Sequence, residues 1–101
     1  MIDLRLIPLN DLIIGFIWHP DRAEELIRRA IYTLEDHNDK CDHKWQKWFI
    51  TADIIQVLVD IKLSTIERLL VDYQQRLDEH HAVHGLELWN NRACRPLPRL
   101  R

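Results

Sequence analysis

The sequence predicts an all-α protein, a small helical bundle of three main helices plus a short N-terminal helix, with extended N- and C-terminal arms. Only two glycines, Gly15 and Gly85, occur in 101 residues, whereas average usage would give about seven. Few turns therefore need a positive φ, which favours long helices over many short strands. Apolar residues also recur at steps of three and four over long stretches, the spacing of one helix face.

The length predicts a single domain with one modest core. We expect an extended arm in residues 1–9, a helical bundle in 10–93 and a basic, proline-containing tail in 94–101. Two cysteines, Cys41 and Cys94, are too few for a disulfide framework. The apolar runs fall short of the ~20 residues of a membrane-spanning helix, and the first residues do not resemble a secretory signal. We therefore predict a cytoplasmic protein without a membrane partner.

The first third of the chain predicts three elements. Residues 2–7 alternate apolar and polar side chains, which indicates a short strand in need of a partner strand, or an extended arm. Residues 12–18 are almost wholly apolar and predict a short helix that must be covered on every side. Pro20 and Asp21 then mark the start of a helix that reaches about residue 36. Its apolar stripe consists of Ala23, Leu26, Ile27, Ala30, Ile31 and Leu34.

Two further helices are predicted in the remainder. The first covers about residues 39–61, although the β-branched residues from 54 to 61 leave a strand as the alternative. The second covers 64–84, with Ser64 and Glu67 forming a capping box and Gly85 closing the helix in a left-handed conformation. Pro96 and Pro98 forbid a helix in the tail and favour an extended segment.

The motifs of several enzyme classes are missing from the sequence. Two glycines cannot form a glycine-rich phosphate loop, and the only serine, Ser64, is assigned to a helix cap. Cys41 and His43 are two residues apart, so a helix would point them in different directions. We expect no catalytic residues and no cofactor.

Histidines near the end of the last helix suggest a metal site as one alternative. His80 and His84 have the four-residue spacing that lets two imidazoles bind one metal ion. Cys41 and His43 would complete the site if the third and fourth helices pair antiparallel. In the competing interpretation, these imidazoles only interact favourably with the negative end of the helix dipole. A small zinc-binding helical protein is thus our second alternative.

Tryptophan and arginine residues indicate protein binding, because both concentrate in interface hot spots. Trp45 and Trp48 lie among polar residues and look partly exposed. The last ten residues carry four arginines and no acid, in a chain of net charge −2. Our leading interpretation is a non-catalytic module that binds a larger protein, or a second copy, and regulates, inhibits or helps assemble it. A phage or mobile-element modulator of a host enzyme or nucleic-acid-processing complex would be an example. The predicted contact residues are Trp45, Trp48, Trp89, Arg92, Arg95, Pro96, Pro98, Arg99 and Arg101.

Residues 51–70 resemble the helix-turn-helix of excisionases and small phage regulators. The segment Thr51-Ala52-Asp53-Ile54-Ile55 begins the first helix, and Lys62-Leu63-Ser64-Thr65-Ile66-Glu67-Arg68 corresponds to the recognition helix. Asp60 stands where the turn of that family usually has glycine. The resemblance implies a DNA-binding regulator, our first alternative, with Lys62, Thr65, Arg68, Gln74 and Gln75 facing DNA. The acidic residues between 66 and 81 disfavour this function, because they repel phosphate.

Overall fold

The computed structural model describes residues 2–92 and 95–101. Within these ranges it contains helices and single 3-10 turns and no strand, so the all-α prediction is confirmed. The α-helices are α1 (Leu9–Ile14), α2 (Arg22–Lys40), α3 (Ala52–Val59), α4 (Leu63–Leu70) and α5 (Gln74–His84). The 3-10 turns are Leu4–Leu6, Lys44–Gln46, Val71–Tyr73 and Leu88–Asn91.

Helix α2 is the centre of the fold. Its predicted apolar stripe is almost fully buried, except that Ala23 is half-buried, and α3 and α4 pack against it. Glu25 on α2 is also buried, and its carboxylate accepts hydrogen bonds from Arg28 and Arg29. Burial raises the pKa of Glu25, but the two guanidinium groups outweigh this effect and hold the pKa below its usual value.

The N-terminal residues do not form a strand, which was one of the two predicted possibilities for this segment. Leu4–Leu6 is a 3-10 turn in which the Asp3 carboxylate accepts a hydrogen bond from the backbone of Arg5, and Leu4 is buried in the core. A single short strand is unstable without a partner strand. Arg29 instead holds this segment by donating to the carbonyls of Leu4 and Ile7. The short apolar helix begins at Leu9, directly after Pro8, and ends at Ile14 rather than residue 18.

The prediction of one helix over residues 39–61 is wrong. The second half of this range contains the shorter helix α3, and most of its first half is not α-helical. Helix α2 extends to Lys40, and residues 47–50 are not helical. The buried side chain of Asn38 holds the backbone of Trp48, donating to its carbonyl at 2.9 Å and accepting from its N–H at 2.8 Å. A side chain thus replaces the helical hydrogen bonds that this buried backbone lacks.

Two other polar side chains hold the next two residues in the same way. The Asn91 amide accepts from the N–H of Phe49 at 2.9 Å and donates to its carbonyl at 2.7 Å. Nε2 of His81 accepts from the N–H of Ile50 at 2.9 Å. Residues 48–50 therefore connect α2, α5 and the C-terminal region through side-chain hydrogen bonds.

The helix predicted over residues 64–84 is interrupted. A 3-10 turn, Val71–Tyr73, separates α4 from α5, and Gly85 closes α5 at φ 64°, as predicted. The predicted capping box of Ser64 and Glu67 is wrong, because α4 begins one residue earlier, at Leu63, with no side-chain cap.

Residues 95–101 of the C-terminal tail are not helical, as Pro96 and Pro98 predict, and they lie against α2. Leu97 and Leu100 pack on the core. The backbone N–H of Arg101 donates to the Thr33 hydroxyl at 3.2 Å, and its guanidinium pairs with Asp36 at 2.6 Å. The tail thus contributes to the fold.

Candidate interaction surfaces

Residues 13–18, which we call the apolar turn, expose several large hydrophobic side chains. Ile14, Ile17 and Trp18 are 77%, 73% and 76% exposed, and Ile13 is also exposed. The sequence predicted a helix over residues 12–18 that must be covered on every side. In the monomer these four side chains instead face solvent.

The backbone of the apolar turn is fixed at its start. The guanidinium of Arg22 donates to the carbonyls of Leu12 and Ile13 at 2.9 and 2.8 Å, which satisfies the C-terminal end of α1. Phe16 has a φ of 59°, a conformation that costs a bulky residue roughly 1–3 kcal/mol. A strained and anchored turn therefore presents Ile17 and Trp18 to solvent.

Two of the predicted contact tryptophans form a second exposed region, the tryptophan surface. Trp45 is 66% exposed and Trp89 is 50% exposed. Lys44 lies between them, with its Nζ 5.5 Å from the centroid of the Trp89 ring, and the ring of His43 stacks on Trp45. Both tryptophans are large, mostly apolar and accessible, and tryptophan is enriched among the residues that dominate interface energies.

Trp48 differs from the other predicted contact tryptophans, because it is only 6% exposed and belongs to the core. The expectation that it faces the surface is wrong. The Arg95 guanidinium stacks on its ring at 3.9 Å and donates to the carbonyls of Asn90 and Lys47. Burial lowers the pKa of Arg95. Arg95 thus holds the tail in place and is not free for a partner.

The remaining predicted contact residues have different surroundings. Arg92, Pro96 and Arg99 are exposed, whereas Pro98 is half-buried. Arg101 is exposed but paired with Asp36.

Helices α3 and α4 are joined by the three residues 60–62. Asp60 has φ 53° and ψ 49°, so it adopts the left-handed conformation for which the helix-turn-helix family usually uses glycine. Its N–H donates to the carbonyl of Gln56 at 2.8 Å. Thr51 caps the start of α3 by accepting from the N–H of Ile54. The turn is therefore compact despite the missing glycine.

The residues predicted to face DNA are all at least partly exposed, but they divide between two helices. Lys62, Thr65 and Arg68 lie at or on α4. Gln74 and Gln75 lie on α5 and donate to the acidic side chains one turn later, at 2.8 and 3.3 Å. Asp60, Glu67 and Asp72 are also exposed around α4. Acidic side chains thus outnumber basic ones on this surface.

The structure brings together only two of the four side chains that were predicted to form a metal site, His80 and His84. His80 and His84 lie close together, with ring centroids 4.5 Å apart. Their companion is Asp39 at the end of α2, and the three ligand atoms lie within 4.8 Å of one another. Cys41 instead contacts His37, with Sγ and Nε2 3.4 Å apart, and His43 stacks on Trp45.

Cys41 has the properties of a structural thiol. Burial raises its pKa, which favours the protonated form over the nucleophilic thiolate.

Comparisons of the chain with protein-family models, with curated proteins and with solved structures give no match. None of the helices in residues 2–92 and 95–101 is long and apolar enough to cross a membrane.

Proposed function

We propose that this protein is a non-catalytic interaction module that binds another protein through its apolar turn. In binding, it would regulate, inhibit or help assemble its partner. The observation that carries the proposal is the exposure of Ile14, Ile17 and Trp18 on one short, anchored segment. Monomeric proteins rarely expose contiguous apolar patches larger than a few hundred Å² unless the patch has a function.

The energetics favour a contact larger than the apolar turn alone. Full burial of an exposed aliphatic side chain contributes roughly 1.5–3 kcal/mol, whereas association costs on the order of 4–15 kcal/mol. The three most exposed side chains therefore need additional contacts for tight binding. Trp45 and Trp89 on the tryptophan surface are suited to this role, because exposed aromatic side chains often dominate interface energies.

Affinity capture with matched variants tests the proposal. The double variant Ile14→Ser, Ile17→Ser removes two exposed apolar side chains with little cost to the fold. The control variant Val71→Ser, Val83→Ser removes two side chains of similar exposure elsewhere. We expect one protein, or a second copy of this chain, to be captured by the wild type and the control and lost with the first variant. Equal capture by all three baits would contradict the proposal.

A second candidate function is DNA binding through α3 and α4, and the left-handed Asp60 in a three-residue turn favours it. Lys62 and Arg68 would then contact phosphates or base edges from the first turns of the recognition helix. Fluorescence anisotropy with random duplex at 50 and 200 mM salt measures this directly. DNA binding predicts a steep salt dependence and a loss of affinity in Lys62→Ala, Arg68→Ala. The absence of detectable binding at 50 mM salt would exclude this function.

A further inference from the structure

Asp39, His80 and His84 form a compact cluster between the last turns of α2 and α5. The carboxylate of Asp39 lies 2.8 Å from Nε2 of His84. Residues 80 and 84 are on successive turns of α5, so their rings meet above the same helix face. Asp39 is exposed while both histidines are half-buried, which leaves a path from solvent to the cluster.

We propose that this cluster binds one transition-metal ion of the Zn²⁺ class, with Asp39, His80 and His84 as ligands and water or a partner side chain in the fourth position. Two imidazoles and one carboxylate are a common donor set for zinc, which is usually four-coordinate. The ligand atoms are already within 4.8 Å of one another. Zinc ligand distances of about 2.0–2.2 Å therefore require only small side-chain movements.

The two ring nitrogens of His84 have different hydrogen-bond roles in the metal-free protein. Nδ1 of His84 lies 3.0 Å from Nζ of Lys47, and an ammonium group can only donate. Nδ1 therefore accepts, and Nε2 carries the proton that is donated to Asp39. When a metal ion binds Nε2, the ring proton moves to Nδ1. The Nδ1–H group and the Lys47 ammonium are then both donors, so the hydrogen bond between them is lost. Lys47 must then turn away, so its charge weakens metal binding.

His80 is already in the form that a metal requires. Its Nε2 lies 3.0 Å from Nδ2 of Asn38, whose amide orientation is fixed by Trp48. Nε2 therefore accepts and has no proton. Metal binding there exchanges one hydrogen bond for a coordinate bond.

Calorimetric titration of the full chain with Zn²⁺, and with Co²⁺ as a spectroscopic probe, tests the proposal. We expect one ion per chain and tetrahedral Co²⁺ absorption. Asp39→Asn and His84→Gln should each weaken Zn²⁺ binding at least ~10-fold, as is usual for the loss of a ligand or its support. The matched controls Asp42→Asn and His43→Gln should change it by less than ~2-fold, because neither side chain belongs to the cluster.

Lys47→Gln gives an independent readout. The glutamine removes the positive charge and its carbonyl can accept from Nδ1–H, so Zn²⁺ should bind several-fold more tightly. Circular dichroism confirms that each variant is folded. The proposal is overturned if Zn²⁺ does not bind, or if Asp39→Asn and His84→Gln bind it as tightly as the wild type. It is also overturned if Lys47→Gln weakens binding.

Discussion

The Cζ atom of the Arg95 guanidinium lies 3.9 Å from the centroid of the Trp48 ring, so a cation–π contact joins the C-terminal tail to the core. The same guanidinium satisfies the carbonyls of Lys47 and Asn90. Sequence reasoning assigned both Arg95 and Trp48 to a partner surface. Trp48 is instead buried and Arg95 half-buried against it, so the two residues form a structural pair.

Arg95→Ala should destabilise the protein by about 2–3 kcal/mol. It removes a partly buried cation–π contact worth up to ~2 kcal/mol and leaves the carbonyls of Lys47 and Asn90 with one hydrogen bond fewer each. Urea unfolding measures the difference. The control is Arg99→Ala, an exposed arginine in the same tail, which should change the stability by less than about 0.5 kcal/mol. Equal effects of the two substitutions would show that the tail is not held by Arg95.

Trp48→Ala and Trp45→Ala should differ strongly in stability. Trp48 is a core residue, and its truncation should cost about 3–5 kcal/mol. Trp45 is largely exposed, so its truncation should cost less than about 1 kcal/mol. Chemical denaturation of both variants, followed by circular dichroism, makes the comparison. Similar losses in both would contradict the division between the core and the tryptophan surface.

The stability should fall between about pH 7.5 and pH 5.5 because of His81. Burial, with the neighbouring His80, lowers the pKa of His81 in the folded protein, and outweighs the opposite effects of Asp78 and Glu35. Its Nε2 also accepts the Ile50 N–H, which protonation would prevent. As the pH falls, His81 therefore binds a proton in the unfolded chain before it does so in the folded protein. The stabilisation by neutral His81 is complete at pH values above the pKa of this residue in the unfolded chain, about 6.5. It is lost as the pH falls below that value.

Urea unfolding of His81→Gln at both pH values isolates this contribution. The variant should be less stable at pH 7.5 but should lose less stability on acidification than the wild type. The remaining pH dependence is expected from His80, whose pKa burial also lowers. The exposed control His43→Gln should behave as the wild type does. An unchanged pH dependence in His81→Gln would contradict the assignment.

Asp60→Gly should stabilise the protein by about 0.5–1 kcal/mol. Asp60 has a left-handed backbone, which glycine adopts without the steric cost of a Cβ atom. Asp53→Gly is the control, because Asp53 lies in the first turn of α3, where glycine is a poor helix former and the lost carboxylate no longer favours the helix dipole, so the change should be destabilising by about 0.5–1 kcal/mol. Thermal and urea unfolding measure both changes. Destabilisation by Asp60→Gly would mean that the Asp60 side chain itself supports the turn.

Local patterns predicted the parts of the fold that depend on neighbouring residues. The apolar stripe of α2 and the closure of α5 at Gly85 are examples, since each is specified within a few turns of helix. Residues 48–50 were not predictable in this way. Their backbone is held by Asn38, His81 and Asn91, which are 10–42 residues distant in the sequence.

The candidate sites also depend on contacts between distant residues, which local patterns do not predict. The spacing of His80 and His84 predicted their proximity, but Asp39 joins them only because α2 extends to Lys40 and packs beside α5. The sequence also identified residues 12–18 as almost wholly apolar. Whether such a segment is buried or exposed depends on the packing of α1 against distant residues, and pattern alone does not contain this information.

The most direct test of the proposed function is site-specific photo-cross-linking at the apolar turn. A photoreactive phenylalanine analogue would replace Ile17 in the native cell, and the same analogue would replace Val83 as the exposed control. We predict one discrete cross-linked protein, or a cross-linked dimer of this chain, at position 17 and none at position 83. The absence of a specific cross-link at position 17, or an identical product at both positions, would contradict the account.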